Sequence, residues 1–178
     1  MSSPTEQPSL NELRVVIDAQ IVLSMFLIRR DRPDLLLSPR TPLRLIEKPL
    51  FRWLWTPEII SDYEQGSHAI AADERLTRRY VFDIRNFQIL LAALQFSPSA
   101  KVSASTLRRA RQRMAQAPRG SERDLDDAIY LACAVDGNAH LLSSEDSDLR
   151  MLGRTYEGVR IVSWTEMKEE LHKRGLWS

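Results

Sequence analysis

The sequence predicts an α/β fold, a single three-layer domain in which a mainly parallel sheet is flanked by helices. Short β-prone runs at residues 13–17, 51–55 and 159–162 alternate with longer segments of helical periodicity. Such alternation is typical of βαβ units, whose crossover helices cover a parallel sheet. No internal repeat is visible.

The first half of the chain contains two predicted strands and three predicted helices. The first strand ends in a β-branched Val-Val-Ile run, and the apolar residues 21–28 are expected to form a helix beneath the sheet. The second strand leads into a helix whose start combines a hydroxyl cap at Thr56 with a proline and an acid. We expect Gly66 to end that helix and residues 71–95 to form the next one.

The second half of the chain continues the same alternation. Residues 104–116 show a basic helical pattern, and residues 124–135 predict a helix with an apolar inner stripe. A short strand over residues 138–142 and a polar turn follow. The final strand leads to a helix over residues 166–173, and Thr165 is its predicted cap.

Length and composition limit the classes of protein that the chain can belong to. Its 178 residues favour one domain, with residues 1–12 as a flexible lead and residues 13–178 as the folded part. The net charge of +1 excludes a polybasic protein, and the single cysteine, Cys133, excludes a disulfide framework. The sequence has neither a long apolar run nor a basic, apolar leader, so we expect a cytoplasmic protein with no membrane contact.

Acidic residues recur at the ends of predicted strands and in the first turns of the helices that follow. They are Asp18, Asp62 and Asp127, together with Glu145, Asp146 and Asp148 in the polar turn. Each acid alone is typical of a cap or a turn. The carboxyl ends of parallel strands share one edge of a sheet, so these carboxylates are expected to converge there. A hard cation such as Mg²⁺ or Mn²⁺ relieves the repulsion within such a group, and the resulting centre suits phosphoryl chemistry.

Two segments of the chain are rich in basic side chains. Residues 101–123 contain seven basic residues and one acid, and residues 29–52 contain seven basic residues and three acids. Clusters of this kind fit a phosphate backbone, although a solvated helix face has a similar composition. Beside a carboxylate centre they favour single-stranded RNA, because an acidic pocket needs access to one scissile phosphate.

Five segments of the chain combine a predicted strand or helix with acidic residues. They are the opening strand and the residues after it at 15–24, the helix start at 56–63, the acidic helix at 123–134, the acidic turn at 137–149, and the closing strand and helix at 161–166. Together they resemble the PIN domain family, in the family's order and spacing from about residue 14 to residue 171. Each motif is weak by itself, and the specificity lies in finding all five in sequence.

The resemblance implies a metal-dependent nuclease that acts mostly on RNA and leaves a 5′-phosphate and a 3′-hydroxyl. The implied cofactor is Mg²⁺ or Mn²⁺. Many members are toxins of bacterial toxin–antitoxin pairs, which implies an antitoxin partner, and dimers are common, which implies a homodimer. The family's acids fall on Asp18, Asp62, Asp127 and Asp146, the implied metal ligands are Asp18, Asp127, Asp146 and Asp148, and Ser143 or Ser144 replaces a threonine.

Three features depart from the family's pattern. Gln20 stands where Asn is usual, and Asp62 is one methylene shorter than the usual Glu. The last turn is one residue longer, so Glu145 and Asp146 compete for the fourth acid; Asp146 is favoured because its distance to Asp148 keeps the family spacing. These departures motivate an alternative, a catalytically weakened PIN-fold module that binds RNA or protein.

Two other α/β classes also place aspartates at strand ends. A phospho-accepting receiver domain needs a lysine after its last strand, and residues 159–165 contain none. Phosphatases with an Asp-x-Asp motif need a second acid at the position that Gln20 occupies. The sequence therefore favours the nuclease over both classes.

Overall fold

The computed structural model describes residues 12–32, 51–116 and 127–176. Within these ranges helices cover a five-stranded sheet with four parallel strands, which confirms the predicted α/β class. The strands are β1 (Arg14–Ile17), β2 (Leu27–Arg29), β3 (Arg52–Trp53), β4 (Tyr80–Phe82), β5 (Leu141–Ser143), β6 (Thr155–Tyr156) and β7 (Val159–Val162). The helices are α1 (Ala19–Ser24), α2 (Pro57–Ala72), α3 (Glu74–Arg79), α4 (Ile84–Gln95), α5 (Ala104–Ala115), α6 (Ala128–Asp136), α7 (Ser147–Met151) and α8 (Trp164–Lys173).

Strand β1 is an inner strand of the sheet, between β3 and β5, in the order β3-β1-β5-β7-β6. Ile17, the last residue of β1, lies opposite Ser143 of β5, which in turn lies opposite Val162 of β7. These three strands are parallel and end side by side, so the residues that follow them emerge at one edge of the sheet. The register therefore places the candidate acids of two loops next to each other.

The prediction of one helix over residues 71–95 is wrong. The chain forms α3, β4 and α4 there, because two aspartates start new helices. The Asp73 carboxylate accepts hydrogen bonds from backbone N–H groups two and three residues ahead (2.8 and 3.1 Å), and the Asp83 carboxylate accepts one from three residues ahead (3.2 Å). Between them β4 pairs antiparallel with β2. The same pairing shortens the helix predicted over residues 21–28, whose last two residues belong to β2.

Two predicted helix ends also differ from the structure. Gly66 does not end α2, which continues to Ala72. Gly66 lies where α2 passes close to α1, and a Cβ at this position would come within 2.3 Å of Leu23 Cδ1. The last helix is capped by Ser163 rather than by Thr165, because Ser163 and Glu166 form a reciprocal capping box.

Two strands are shorter than predicted, while two helices lie where the sequence places them. Strand β3 covers only two of the residues predicted over 51–55, and β5 begins at Leu141 rather than at Asn138. Asn138 has a φ of 51°, so it forms a turn after α6 instead of extending the strand. Helices α5 and α6 match their predictions within the described residues, and residues 124–126 lie outside them.

The core lies between the sheet and the helices that cover it. Cys133 of α6 is fully buried, and burial raises the pKa of its thiol to about 12. Tyr63 of α2 is also fully buried, and its hydroxyl donates a hydrogen bond to the carbonyl of Ile17. This bond anchors α2 at the end of β1. Within the described residues, none of the helices has the length and apolar character that a membrane span needs.

Replacing Tyr63 with phenylalanine tests this anchor. The Ile17 carbonyl would lose a buried donor, so Tyr63→Phe should lower the free energy of unfolding by about 1–3 kcal/mol. Urea denaturation measures the difference. Tyr80→Phe is the matched control, since Tyr80 is half-buried and should change stability by less than about 0.5 kcal/mol. Equal values for the two variants would show that the bond contributes nothing.

Candidate active site

Asp18 directly follows β1 and caps α1. It is 5% exposed. Its backbone N–H donates to the carbonyl of Ser143 (2.9 Å), which continues the pairing of β1 with β5 by one residue. Its carboxylate accepts hydrogen bonds from the backbone N–H of Gln20 (3.1 Å) and from the hydroxyl of Ser144. The side chain is thus held at the carboxyl edge of the sheet by groups from two strands' ends.

Burial raises the pKa of the Asp18 carboxyl above its ordinary value of 3.8. The hydrogen bonds from Ser144 and Gln20 act in the opposite direction, and the negative charges of Asp146 and Asp62 add to the rise. Among the described residues, no lysine, arginine or histidine forms an ion pair with Asp18, Asp62 or Asp146. The fold therefore holds the buried Asp18 carboxyl beside two half-buried carboxylates, without a protein counter-ion in the part of the chain described.

Ser144 connects the first and the fourth acid. Its hydroxyl is fully buried, donates to the Asp18 carboxylate and accepts from the backbone N–H of Asp146 (2.9 Å). The Asp146 carboxylate in turn accepts from the backbone N–H of Asp148 (2.6 Å) and caps α7. Of the two serines that the sequence offered in this place, Ser144 makes the contact. The hydroxyl of Ser143 is buried with no partner among the described residues.

Glu145 turns away from this group. Its Oε1 accepts a hydrogen bond from the backbone N–H of Trp164 (2.8 Å), and its Oε2 lies 3.9 Å from the Arg150 guanidinium. Glu145 thus contacts the start of α8, while Asp146 influences the charge of Asp18. The geometry agrees with the choice of Asp146 as the fourth acid.

Asp62 and Tyr130 bring α2 and α6 together beside Asp18. Asp62 lies in the second turn of α2, and the hydroxyl of Tyr130 donates a hydrogen bond to its carboxylate. Tyr130 is 1% exposed. Burial raises the pKa of its hydroxyl well above the ordinary value, with further contributions from Tyr63, Asp62 and Asp18. Tyr130 therefore stays protonated at neutral pH and keeps donating to Asp62.

Asp127 and Asp148 lie within one helical turn of residues that contact the cluster. Asp127 precedes α6 and is half-buried, and its carbonyl accepts from the backbone N–H of Tyr130 (3.0 Å). Residues three apart on a helix are neighbours on one face, so Asp127 lies at the end of α6 that carries Tyr130. Asp148 is half-buried in the first turn of α7. The structure thus places Asp62 and Asp146 close enough for their charges to act on Asp18, and places Asp127 and Asp148 at the starts of α6 and α7.

The chemistry of these donors fits a hard divalent cation. Within the described ranges, however, no three Asp, Glu, His or Cys side chains are arranged so that they could hold a metal ion. Mg²⁺ often keeps several waters and takes only one or two carboxylates together with substrate phosphates. Asp18 and Asp146, joined through Ser144, fit that smaller set of protein ligands.

Only parts of the two basic segments lie within the described residues. Residues 33–50 and 117–126 lie outside the described residues. On α5, Arg109 forms a two-pronged ion pair with Glu157 (3.0 and 3.1 Å), and Arg113 donates to the carbonyl of Leu152 (3.1 Å). These two arginines therefore attach α5 to the rest of the fold.

Sequence reasoning missed Tyr130 as a member of the site. Tyr130 lies within a mostly apolar helix, where an aromatic side chain is usually part of the core. The one usable signal was its spacing of three residues from Asp127, which places both on one helix face.

The family comparison agrees with this geometry. The sequence profile of the PIN domain matches residues 14–148, more than half of the 178 residues and a range that includes every candidate acid. Comparison with curated proteins and with solved structures yields no match. PIN domains are generally nucleases and typically use divalent metals. Together with acids gathered at the carboxyl edge of a parallel sheet, the match shows that the chain belongs to the PIN domain family.

Proposed function

We propose that this PIN domain is a divalent-metal-dependent endoribonuclease that hydrolyses phosphodiester bonds in single-stranded RNA. The observation that carries the proposal is the buried Asp18 carboxylate, which faces Asp62 and Asp146 and has no ion-pair partner among the described residues. Uncompensated burial of charge costs stability, and such arrangements cluster at functional sites. Because PIN domains are generally nucleases, metal-dependent nuclease chemistry explains why this charged group is kept at the site.

Asp18 and Asp146 are the proposed main ligands of Mg²⁺ or Mn²⁺, with Asp127 and Asp148 contributing directly or through water. Ser144 holds the first two in register, because its hydroxyl contacts the Asp18 carboxylate and the Asp146 backbone. When bound, the ion supplies a nucleophile at neutral pH and offsets the negative charge that develops on the phosphate. The buried setting strengthens these electrostatic effects.

Asp62 is proposed to orient the attacking water rather than to bind the ion. Its carboxylate is held by the Tyr130 hydroxyl, which leaves its remaining lone pairs as acceptors for a water proton. Asp62 is shorter than the family's usual glutamate, and Tyr130 fixes the position of this shorter side chain. Tyr130 is therefore a positioning residue in this scheme.

A catalytically weakened PIN-fold module that binds RNA or protein is the second candidate. Two observations favour it. Among the described residues no closed group of three metal-binding side chains is present. Gln20 contacts Asp18 through its backbone N–H, and its side chain is exposed, so it does not replace the family's asparagine in organising the first acid.

An antitoxin partner, a homodimer and a cytoplasmic location stay predictions. The first two rest on the similarity to toxin components. The third rests on the composition of the chain, whose single cysteine is typical of a reducing compartment.

The variant Asp18→Asn/Asp127→Asn tests the proposed nuclease. It preserves side-chain shape and removes two charges, so Mn²⁺-dependent cleavage of a mixed single-stranded RNA pool should fall by roughly 100-fold or more, since even outer-shell partners of a metal site are worth 10–100-fold. Cleavage is measured with Mn²⁺ and with EDTA, and Mn²⁺ binding by calorimetry. Asp83→Asn is the matched control, because asparagine caps α4 as well as aspartate does.

Three outcomes separate the candidates. Metal-dependent cleavage that survives in the double variant would contradict the proposed site. Mn²⁺ binding by the unmodified protein without cleavage would mean that the substrate class is wrong. Neither binding nor cleavage would support the second candidate.

The stability of the metal-free protein should depend on the charge of Asp18. Its pKa is raised in the folded state, so folding binds a proton more tightly and stability in EDTA falls as the pH rises through that pKa. Asp18→Asn should therefore melt higher than the unmodified protein at neutral pH, by about 2–4 °C for each kcal/mol of relieved repulsion. The gain should disappear at acidic pH. A lower melting temperature for Asp18→Asn would show that the ionised carboxylate stabilises the fold and would contradict this expectation.

Tyr130→Phe tests the positioning of Asp62. The change removes the hydrogen bond to the Asp62 carboxylate, so kcat should fall by about tenfold or more, while Mn²⁺ affinity stays the same. Steady-state cleavage and calorimetry measure the two quantities. Tyr156→Phe, on the edge strand β6, is the control and should keep the normal rate. An unchanged kcat for Tyr130→Phe would remove Tyr130 from the mechanism.

A further inference from the structure

Two segments that are far apart in the sequence bring arginines together at the β2–β4 sheet. Arg29 lies opposite Tyr80 in the antiparallel register. The backbone N–H of Arg30 donates to the carbonyl of Arg79 (3.0 Å), and its Nε donates to the carbonyl of Thr77 (2.8 Å). We refer to the five exposed arginines that line depressions at this place as the arginine patch: Arg29, Arg30, Arg75, Arg78 and Arg79.

The patch contains two adjoining depressions that share Arg78, Arg79 and Tyr80. One has a volume of about 500 Å³ and is also lined by Arg29, Arg30 and Asp31. The other has a volume of about 460 Å³ and is also lined by Arg75 and Leu76. These volumes lie within the range of ligand sites, but most such sites are walled by apolar groups. Walls of arginine indicate an anionic ligand instead.

Much of the positive charge of the patch remains available. Asp31 neutralises Arg29 through two short contacts (2.6 and 3.0 Å). Arg30 is positioned by a neutral carbonyl, which orients the guanidinium without cancelling its charge. Arg78 contacts Glu74 at 3.3 Å in a highly exposed pair of little energetic value.

Two further arginines of the patch, Arg75 and Arg79, have no ion-pair partner within the described ranges. Both line the depressions, so their guanidinium groups are available to a ligand there. They are therefore the pair to replace in a test of the patch.

Helices α1 and α2 connect the patch to the candidate active site. Helix α1 begins beside Asp18 and leads into β2, while α2 contains Asp62 and ends at Ala72, just before α3. The ten residues from Asp62 to Ala72 span about 15 Å of helix, which is four or five nucleotides at the roughly 3.4 Å spacing of a stacked strand. One short RNA strand can therefore reach both places.

We propose that the arginine patch binds backbone phosphates of single-stranded RNA and that Tyr80 stacks on one of its bases. Guanidinium groups form two-pronged hydrogen bonds with phosphates, and the patch consists of arginines alone. Tyr80 lines both depressions, and an aromatic ring beside arginines is typical of single-strand binding. The choice of RNA as the polyanion rests on the proposed function, but binding to the patch requires no metal.

The test uses the full chain carrying Asp18→Asn/Asp127→Asn in EDTA, so that binding is measured without cleavage. Fluorescence anisotropy follows a labelled single-stranded RNA of mixed sequence over a series of salt concentrations. Arg75→Gln/Arg79→Gln should reduce the slope of log K against log salt by about 1.4, because each phosphate contact of a single strand contributes about 0.7. Tyr80→Leu should weaken binding by about fivefold or more, and Tyr80→Phe should keep it.

The control removes two exposed arginines that lie outside both basic segments of the sequence. Arg154→Gln/Arg160→Gln changes the net charge by the same amount and should leave the slope unchanged. Equal reductions in both double variants would indicate a non-specific charge effect and overturn the inference. An unchanged slope in the patch variant, or no RNA binding at low salt, would also overturn it.

Two further results separate this inference from the nuclease proposal and from a protein ligand. A patch-dependent slope in a protein that never cleaves RNA would support the patch and contradict the nuclease. Cleavage by the unmodified protein together with an unchanged slope in the patch variant would support the nuclease and contradict the patch. If Arg75→Gln/Arg79→Gln loses binding to a poly-glutamate peptide but still binds RNA normally, the patch is a docking surface for an acidic protein and the inference is overturned.

Discussion

The burial of the Asp18 carboxylate beside Asp62 and Asp146 is the constraint on which the rest of the site depends. Burial and like charges both disfavour the ionised form, so the surroundings must hold the side chain in place. Ser144 does so from the end of β5, and the Gln20 backbone does so from α1. Burying and clustering these carboxylates lowers the stability of the fold, and a bound cation would offset that cost.

Helix α2 links the core, the candidate site and the arginine patch. Tyr63 anchors the helix to the end of β1, and the neighbouring Asp62 enters the acid group through Tyr130 of α6. Close contact between Gly66 and Leu23 lets α2 run alongside α1 toward the β2–β4 sheet. A displacement of α2 would therefore affect the acids and the arginines together.

Although the net charge is near neutral, acidic and basic side chains occupy separate regions in the described part of the chain. Carboxylates gather at the carboxyl edge of the sheet, and arginines gather beyond the end of α2, which lies about 15 Å along the helix from Asp62. An anionic strand is repelled by the first region and attracted by the second. In the proposed scheme the patch holds the strand while a cation at the acids offsets the repulsion at the scissile phosphate.

The sequence by itself determined the fold class, the strand β1 and the acid that follows it. Those features depend on neighbours in the chain: a β-branched run ending at Asp18, a hydroxyl and proline at the start of α2, and alternation of strand and helix patterns. The same local reasoning located the acids at strand ends, which is why most of the candidate site could be anticipated. It failed over residues 71–95, where β4 forms only because β2 is available as a partner.

Tertiary structure alone decided the contacts between distant segments. Tyr130 meets Asp62 from 68 residues away, and Arg30 meets Thr77 from 47 residues away. Glu145 and Asp146 are adjacent in the chain, yet only packing against α8 turns one of them away from Asp18. Periodicity describes which face of an element a residue occupies, but the partner on that face is set by how the elements pack, and a single sequence does not contain that information in readable form.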